Sequence, residues 1–278
     1  MLVTFASEPA HPDRPNEDFV GATPDAVVLL DGAGDPAGLE SGCSHSVSWY
    51  SRTLGSTLLT ELTRHPGSLA EIFASGIRQV ASLHEHTCDL LHAGSPSATA
   101  VMLRRTGDTL EWLVLADSVL VLDLGTAEPT VVCDDRLDAV AAPHHALLAG
   151  LRYGSPEHAQ ARREFIETLR TYRNRDGGFW VAAVDPLAGE HALTGSAPID
   201  AVRAVALLSD GASRLADRFA LATWRQILDL LAHDGPAGLI RRVREAERSD
   251  PYGERWPRGK IFDDATACYL ALPRAHAG

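Results

Sequence analysis

Short runs of valine, leucine and alanine recur along the chain at 2–6, 26–30, 98–104, 110–116, 119–123, 129–133, 190–194, 202–208 and 266–272, and their length and composition predict strands. Several are only two to six residues apart, as in EWLVLADSVLVLDL at 111–124, which suits antiparallel neighbours rather than parallel crossovers. Helical spacing replaces this pattern at 40–64 and again after Ser68-Leu-Ala-Glu71, a capping-box start followed by Leu69, Ile72, Phe73, Ile77, Val80 and Leu83 on one face. A further helix is predicted from Ser155-Pro156, serine as cap and proline in the first turn, to Arg173, and two more at 223–233 and 236–247. Paired helices between runs of antiparallel strands predict an α+β fold with a central β-sandwich and helices packed outside it. No repeat or low-complexity linker divides residues 1–278, so one domain is expected.

An aspartate stands at the edge of an apolar strand four times: VVLLDG at 27–32, WLVLADS at 112–118, VALLSDG at 205–211 and IFDDATACYLAL at 261–272. Singly, each is read as a turn former. Strands of one sandwich would bring the four carboxylates to a common edge, where they repel and raise one another's pKa unless a cation lies between them. Oxygen donors without histidine or cysteine suit Mg²⁺ or Mn²⁺, and bridging carboxylates suit a pair of ions, a site for chemistry on phosphate esters. The same stretch also matches a GxGxxA dinucleotide turn at Gly32-Ala-Gly34-Asp-Pro-Ala37. Asp31 and Asp35 would there set negative charge against a pyrophosphate, Pro36 removes a donor, and the strand spacing lacks the required βαβ unit.

Composition narrows the picture. The 278 residues carry a net charge of −12, and the nearest approach to a basic run is Arg241-Arg242-Val243-Arg244, which disfavours nucleic acid. Lys260 is the single lysine, an arginine skew expected of a GC-rich bacterial genome. The N-terminal stretch has no signal-peptide pattern and no apolar run reaches 18 residues, so a cytoplasmic protein without membrane contact is expected. Cys43, Cys88, Cys133 and Cys268 are scattered without CxxC spacing and read as buried reduced thiols rather than a zinc site. His84 and His86, two apart on a predicted helix, do not face each other, and with His144-His145 they read as core or solvated residues. No GxSxG elbow is present, which disfavours a serine hydrolase. Nothing in the sequence specifies an oligomeric state.

Six short motifs in order, Arg14-Pro-Asn-Glu17-Asp18, Asp31-Gly32-Ala-Gly34, Ser95-Pro-Ser-Ala-Thr-Ala100, Ala116-Asp117-Ser118, Ser209-Asp210-Gly211 and Asp263-Asp264-Ala-Thr266, resemble those of the protein phosphatase 2C family, bacterial type. The resemblance spans nearly the whole chain. It implies a four-layer αββα fold and metal-dependent dephosphorylation of phosphoserine and phosphothreonine in proteins through a hydroxide bridging two Mn²⁺ or Mg²⁺ ions. Asp31 would bridge the ions, Asp210 and Asp263 would complete one shell, Glu17 and the Gly32 carbonyl the other, and Asp117 with Asp210 would hold a weaker third ion. Asp18 would order metal-bound water and Arg14 would bind phosphate. The family places that arginine one residue earlier, where Asp13 stands; Ala33 replaces a histidine or methionine, Val119 the arginine of GDSR, and Asp264 an asparagine, an acidic neighbour expected to tighten metal binding. A pseudo-phosphatase that only binds, or a phosphatase of small esters, are the alternatives. YRNRDGGFWVAA at 172–183 falls where the family carries a variable flap, expected here around 172–200, with Phe179 and Trp180 either shaping a groove or packing in the core. Arg255, Arg258 and Lys260 are read either as phosphate contacts or as a solvated basic loop.

Overall fold

The computed structural model describes residues 1–34, 40–148 and 150–272, and at 144–146 the backbone only. In chain order the elements are β1 (Leu2–Glu8), β2 (Phe19–Ala22), β3 (Ala26–Ala33), α1 (Val47–Arg64), α2 (Leu69–His84), β4 (Ser97–Thr106), β5 (Thr109–Leu115), β6 (Val119–Asp123), β7 (Thr130–Val132), α3 (Arg136–Leu148), α4 (Pro156–Tyr172), β8 (Leu193–Pro198), β9 (Ala204–Leu208), α5 (Asp210–Ser213), α6 (Trp224–Ser249) and β10 (Ala265–Ala271). Two five-stranded antiparallel sheets form, one in the order β1-β10-β9-β6-β7 and the other β2-β3-β4-β5-β8.

The central strands β3, β4, β6, β9 and β10 read as apolar runs because both their faces are covered. In β3, Val27 and Leu29 pack between the sheets with Val101, Leu103, Leu207 and Leu270, while Val28 and Leu30 turn to Leu54, Leu58, Phe73 and Ile77 of α1 and α2. On the other sheet, Leu120 and Leu207 point inward and Val121 and Leu208 pack on Ile227, Leu231, Ile240 and Val243 of α6. Each such side chain contributes about 1.5–3 kcal/mol by burial, so period-two alternation is not required of these strands. The expected α+β sandwich with helices outside is what forms, in four layers.

Several boundaries differ from expectation. α1 starts at Val47 rather than at residue 40, because Ser46 caps it by accepting from Trp49 N and Gly42 takes a left-handed φ of 68° that no helix tolerates. β2 and α3 carry too weak a pattern to be foreseen: Phe19–Ala22 is four residues with an internal glycine, and α3 contains Pro143. The last strand of the β2–β8 sheet runs at 193–198 rather than 190–194, because a 3-10 turn at Pro186–Gly189 is capped by Glu190 and residues 190–192 turn before the strand begins. The two helices expected at 223–233 and 236–247 do form, as the two halves of α6, parted where Gly235 adopts φ 72°. Asp35, Pro36 and Ala37 of the glycine turn lie outside the described residues, as do the side chains of His144 and His145. β3 pairs antiparallel with β4, so the strand carrying Asp31 is not part of a βαβ unit.

Candidate metal centre and cleft

Antiparallel pairing brings the end of β3, the start of β2 and β4, the end of β9 and the start of β10 to one edge of the sandwich. The chain also crosses from one sheet to the other there, between β5 and β6, where Ala116 takes a left-handed φ of 60° and Asp117 follows. A cleft of about 800 Å³ opens at this edge. Glu17, Asp31, Gly32, Asp117, Asp210 and Asp263 all line it, Arg14 stands exposed on its rim, and Asp18 is buried beside the lining.

The floor is held from several directions. Asp31 Oδ2 accepts from Asp210 N at 3.2 Å, joining the two sheets. Asp264 Oδ1 and Oδ2 accept from Ala10 N at 2.6 Å and Glu17 N at 2.7 Å, so Asp264 pins the loop carrying Glu17 instead of offering itself as a further metal ligand. Ser51 Oγ of α1 donates to Glu17 O at 2.5 Å. A Cβ on Gly32 would stand 2.5 Å from Glu17 O and 2.6 Å from Val47 Cγ1, so only glycine lets β3, α1 and the Glu17 loop meet.

The electrostatics are those of uncompensated carboxylates. Burial, then the charges of Asp18, Asp210, Asp263 and Asp117, push Asp31 well above the ordinary carboxylate range. Burial likewise raises Asp210 and, with Asp210 and Asp138 adding repulsion, pushes Asp117 up to about 7. Asp18 is pushed up to about 8 by burial, against which the Thr266 hydroxyl beside it acts, with Asp264, Asp210 and Asp263 adding repulsion, and neither of its buried carboxylate oxygens has a partner at hydrogen-bond geometry. Orphaned buried oxygens and mutually raised acids on an all-oxygen donor set fit hard divalent cations.

Asp263 differs. Lys260 Nζ lies 2.7 Å from its Oδ1 and Arg214 Nη2 3.0 Å from its Oδ2. Burial raises this carboxyl, but Lys260 and Arg214 outweigh it and hold the group below the usual value. Arg214 also bonds Glu247 Oε1 at 2.6 Å, and Arg244 joins Glu247 Oε2 at 2.8 Å to Asp263 O at 2.6 Å, a buried network. Neither arginine carried a motif in the sequence. Arg258, read as a phosphate contact or a solvated residue, is buried and bonds Asp250 Oδ2 at 2.7 Å; Arg255 stacks on Trp256.

Arg162, Arg170 and Arg173 line the cleft together with apolar Leu137, Ile166, Leu169 and Phe179 of the α3–α4 side, while Arg218, in the turn after α5, lines it beside Asp117 and Asp210, and its charge acts to lower both. Burial lowers the Arg173 guanidinium to about 10, and it donates to Ser97 Oγ at 3.0 Å. Phe179 faces this wall, whereas Trp180 stacks on His191 at 3.8 Å and packs with the α1–α2 core, so the two aromatics divide between the expected alternatives.

No family model matches the sequence, and no curated protein matches it either. Solved structures do match. The serine/threonine phosphatase PstP/Ppp of Mycobacterium tuberculosis superposes with a TM-score of 0.58 at 19% identity, covering 98% of this chain and 98% of that one. This is the protein phosphatase 2C fold. A PstP catalytic domain in complex with two manganese ions shares the phosphatase 2C fold at a TM-score of 0.57 and 18% identity over 96% of both chains. Stp1 of Staphylococcus aureus does so at 0.59 and 14% identity, over 98% of this chain and 94% of that one.

Proposed function

We propose that this chain hydrolyses phosphomonoesters, with phosphoserine and phosphothreonine side chains of proteins as substrates, using two Mn²⁺ or Mg²⁺ ions. The observation that carries the reading is the cluster of raised carboxylates, Asp18 with its orphaned oxygens among them, on the floor of a cleft walled by arginines. Asp31 would stand between the ions, Asp210 and Asp263 would hold one, Glu17 and the Gly32 carbonyl the other, and Asp117 with Asp210 a weaker third. When bound, the ions would supply an acidified water and positive charge against the phosphoryl oxygens. Arg14 at the rim and Arg218 beside Asp117 and Asp210 would neutralise the incoming phosphate dianion, a role for which arginine's fork is suited. Asp18 is positioned behind the floor to orient water by accepting its hydrogens. Among the described lining residues there is no histidine, so the departing alkoxide takes its proton from solvent. The apolar wall of Ile166, Leu169 and Phe179 beside the charges suits the side chains flanking a phosphorylated residue better than a small ester alone.

In the same reading the protein is a bacterial signalling enzyme of the cytoplasm. None of its four cysteines forms a disulfide, as a reducing compartment keeps them, and no described helix is long and apolar enough to cross a membrane. The test is p-nitrophenyl phosphate hydrolysis with Mn²⁺ for the wild type, Asp31→Ala and Asp210→Ala, followed by a phosphothreonine peptide. Metal-dependent turnover that falls at least about a hundredfold in both variants is expected. No turnover by folded, Mn²⁺-saturated wild type sinks the enzymatic reading in favour of a binding module, and turnover of the small ester with none of the peptide sinks the protein substrate.

A further inference from the structure

Where α1 begins and α2 ends, the chain gathers two cysteines and two histidines that the sequence spacing keeps 39 or more positions apart in pairs, Cys43-x-His45 and His84-x₃-Cys88. Their ligand atoms all lie within 4.8 Å of one another. Cys43 Sγ is 3.7 Å from His45 Nδ1 and 3.5 Å from His84 Nδ1, and Cys88 Sγ is 3.4 Å from His45 Nδ1. A tetrahedron with metal–sulfur bonds of about 2.3 Å and metal–nitrogen bonds of about 2.05 Å has sulfur-to-nitrogen edges of about 3.6 Å. The three sulfur-to-nitrogen edges therefore suit a single ion at the centre, which would part the two sulfurs by about half an ångström to the roughly 3.75 Å of a tetrahedron. The two sulfurs, 3.2 Å apart, are well beyond the roughly 2.05 Å of a disulfide, and a disulfide would not need two imidazoles turned toward it.

The surroundings supply what thiolate and imidazole ligands require. Ser44 N at 3.4 Å, with the Ser44 and Thr87 hydroxyls at 3.5 and 3.6 Å, bonds Cys88 Sγ, and His45 N lies 3.4 Å from Cys43 Sγ. Trp49 stacks on the His45 ring at 4.1 Å and fixes its plane, while His84 is buried at the end of α2. The backbone is built for the convergence. Gly42 has φ 68°, its carbonyl accepts from Asp89 N at 2.8 Å, and a Cβ there would stand 2.3 Å from His92 Cβ. Cys88 N donates back to His84 O, so the turn after α2 presents both residues on one side.

We propose that Cys43, His45, His84 and Cys88 bind one structural Zn²⁺, distinct in place and chemistry from the carboxylate cleft. Two soft sulfurs and two imidazoles select zinc over the hard ions that carboxylates take, and four protein ligands close the shell against substrate. The ion ties the segment entering α1 to the segment leaving α2. Through Ser46, Val47 and Ser51 it steadies the helix end that abuts Gly32 and Glu17. The scattered cysteines that argued against zinc in the sequence are thus brought together by the antiparallel α1–α2 pair, which no local spacing reveals. This inference is independent of the proposed phosphatase activity, and either can fail alone.

The test begins with elemental analysis of protein purified under reducing conditions without added metal. About one zinc per chain is expected, retained in an Asp31→Ala/Asp210→Ala double variant and lost in Cys43→Ser/Cys88→Ser. Should the cysteine variant fail to fold, Co²⁺ exchanged into the wild type decides the matter: tetrahedral cobalt bands in the visible, with thiolate charge transfer in the near ultraviolet, are expected. Zinc lost with the aspartates but kept without the cysteines overturns the proposal. So does a folded wild type with neither zinc nor cobalt bands, or a mapped Cys43–Cys88 disulfide in metal-free protein.

Discussion

Lys260 holds its ammonium 2.7 Å from Asp263 Oδ1, and Asp263, Asp210 and Asp31 are the charges that raise its pKa against its own desolvation. A divalent ion on the same carboxylates must work against that positive charge. Replacing Lys260 by methionine removes the competitor, and a roughly tenfold gain in Mn²⁺ affinity is expected in a titration followed by thermal shift, a modest figure because the side chain is half-exposed. An unchanged or weaker affinity would mean that the lysine swings away at no cost. The acids give a second prediction. Asp18, raised to about 8, and Asp117, raised to about 7, both chiefly by burial, keep protons in the fold that the unfolded chain releases near pH 4. Their contribution is full below that pH and drains away as pH rises through 7 and 8. Asp263, held low by Lys260 and Arg214 against its burial, contributes above the ordinary carboxylate range and is lost only in acid. The thermal midpoint of the protein without added Mn²⁺ should therefore fall between about pH 5.5 and pH 8, and Mn²⁺ should raise it more at the upper end. A flat profile would contradict the burial of these groups.

The elements differ in how much of their role a sequence discloses. α2 announces itself through Ser68 and Glu71, whose reciprocal bonds form the expected capping box, and β6 runs over the expected residues 119–123 because a polar turn bounds it on either side. β2 and α3 depend on neighbours for their stability, so local pattern is silent about them. The same division holds in the cleft. The aspartates are legible because each ends or begins an apolar strand, whereas Arg214 and Arg218 lie in an irregular turn after α5 and gain meaning only when residues 210 and 263 come together. Glu247, fully buried in α6, shows the energetic side of this. It is the shared partner of Arg214 and Arg244, and its loss leaves the buried Arg244 without a carboxylate and Arg214 with Asp263 alone. Glu247→Ala should cost roughly 3–5 kcal/mol in urea unfolding and weaken Mn²⁺ binding by leaving the Arg214 charge to Asp263 alone, whereas exposed Glu245→Ala should change neither by much.

At the scale of the molecule the donors are divided between the sheets. Glu17, Asp18 and Asp31 flank β2 and β3, Asp210 and Asp263 flank β9 and β10, and Asp117 sits on the crossing from one sheet to the other. Metal binding should then clasp the two sheets, and hydrogen exchange at the cleft ends of β3, β9 and β10 should slow together on adding Mn²⁺; protection confined to one sheet would contradict a shared site. The packing between the sheets is a separate matter, and Leu207→Ala should cost about 2–5 kcal/mol while leaving the Mn²⁺-dependent increment in place. The pairing of β1 with β10, from Leu2 opposite Ala271 to Glu8 opposite Ala265, carries a consequence for synthesis. A ribosome delivers Asp31 early and Asp264, the anchor of the Glu17 loop, some 230 residues later. At about 5–20 residues per second that is a wait of tens of seconds. Throughout it the acidic residue of β3 stands without Asp210, Asp263 and the anchor of the Glu17 loop, so on the proposed reading ions could be gripped only once the strand that closes the sheet has emerged.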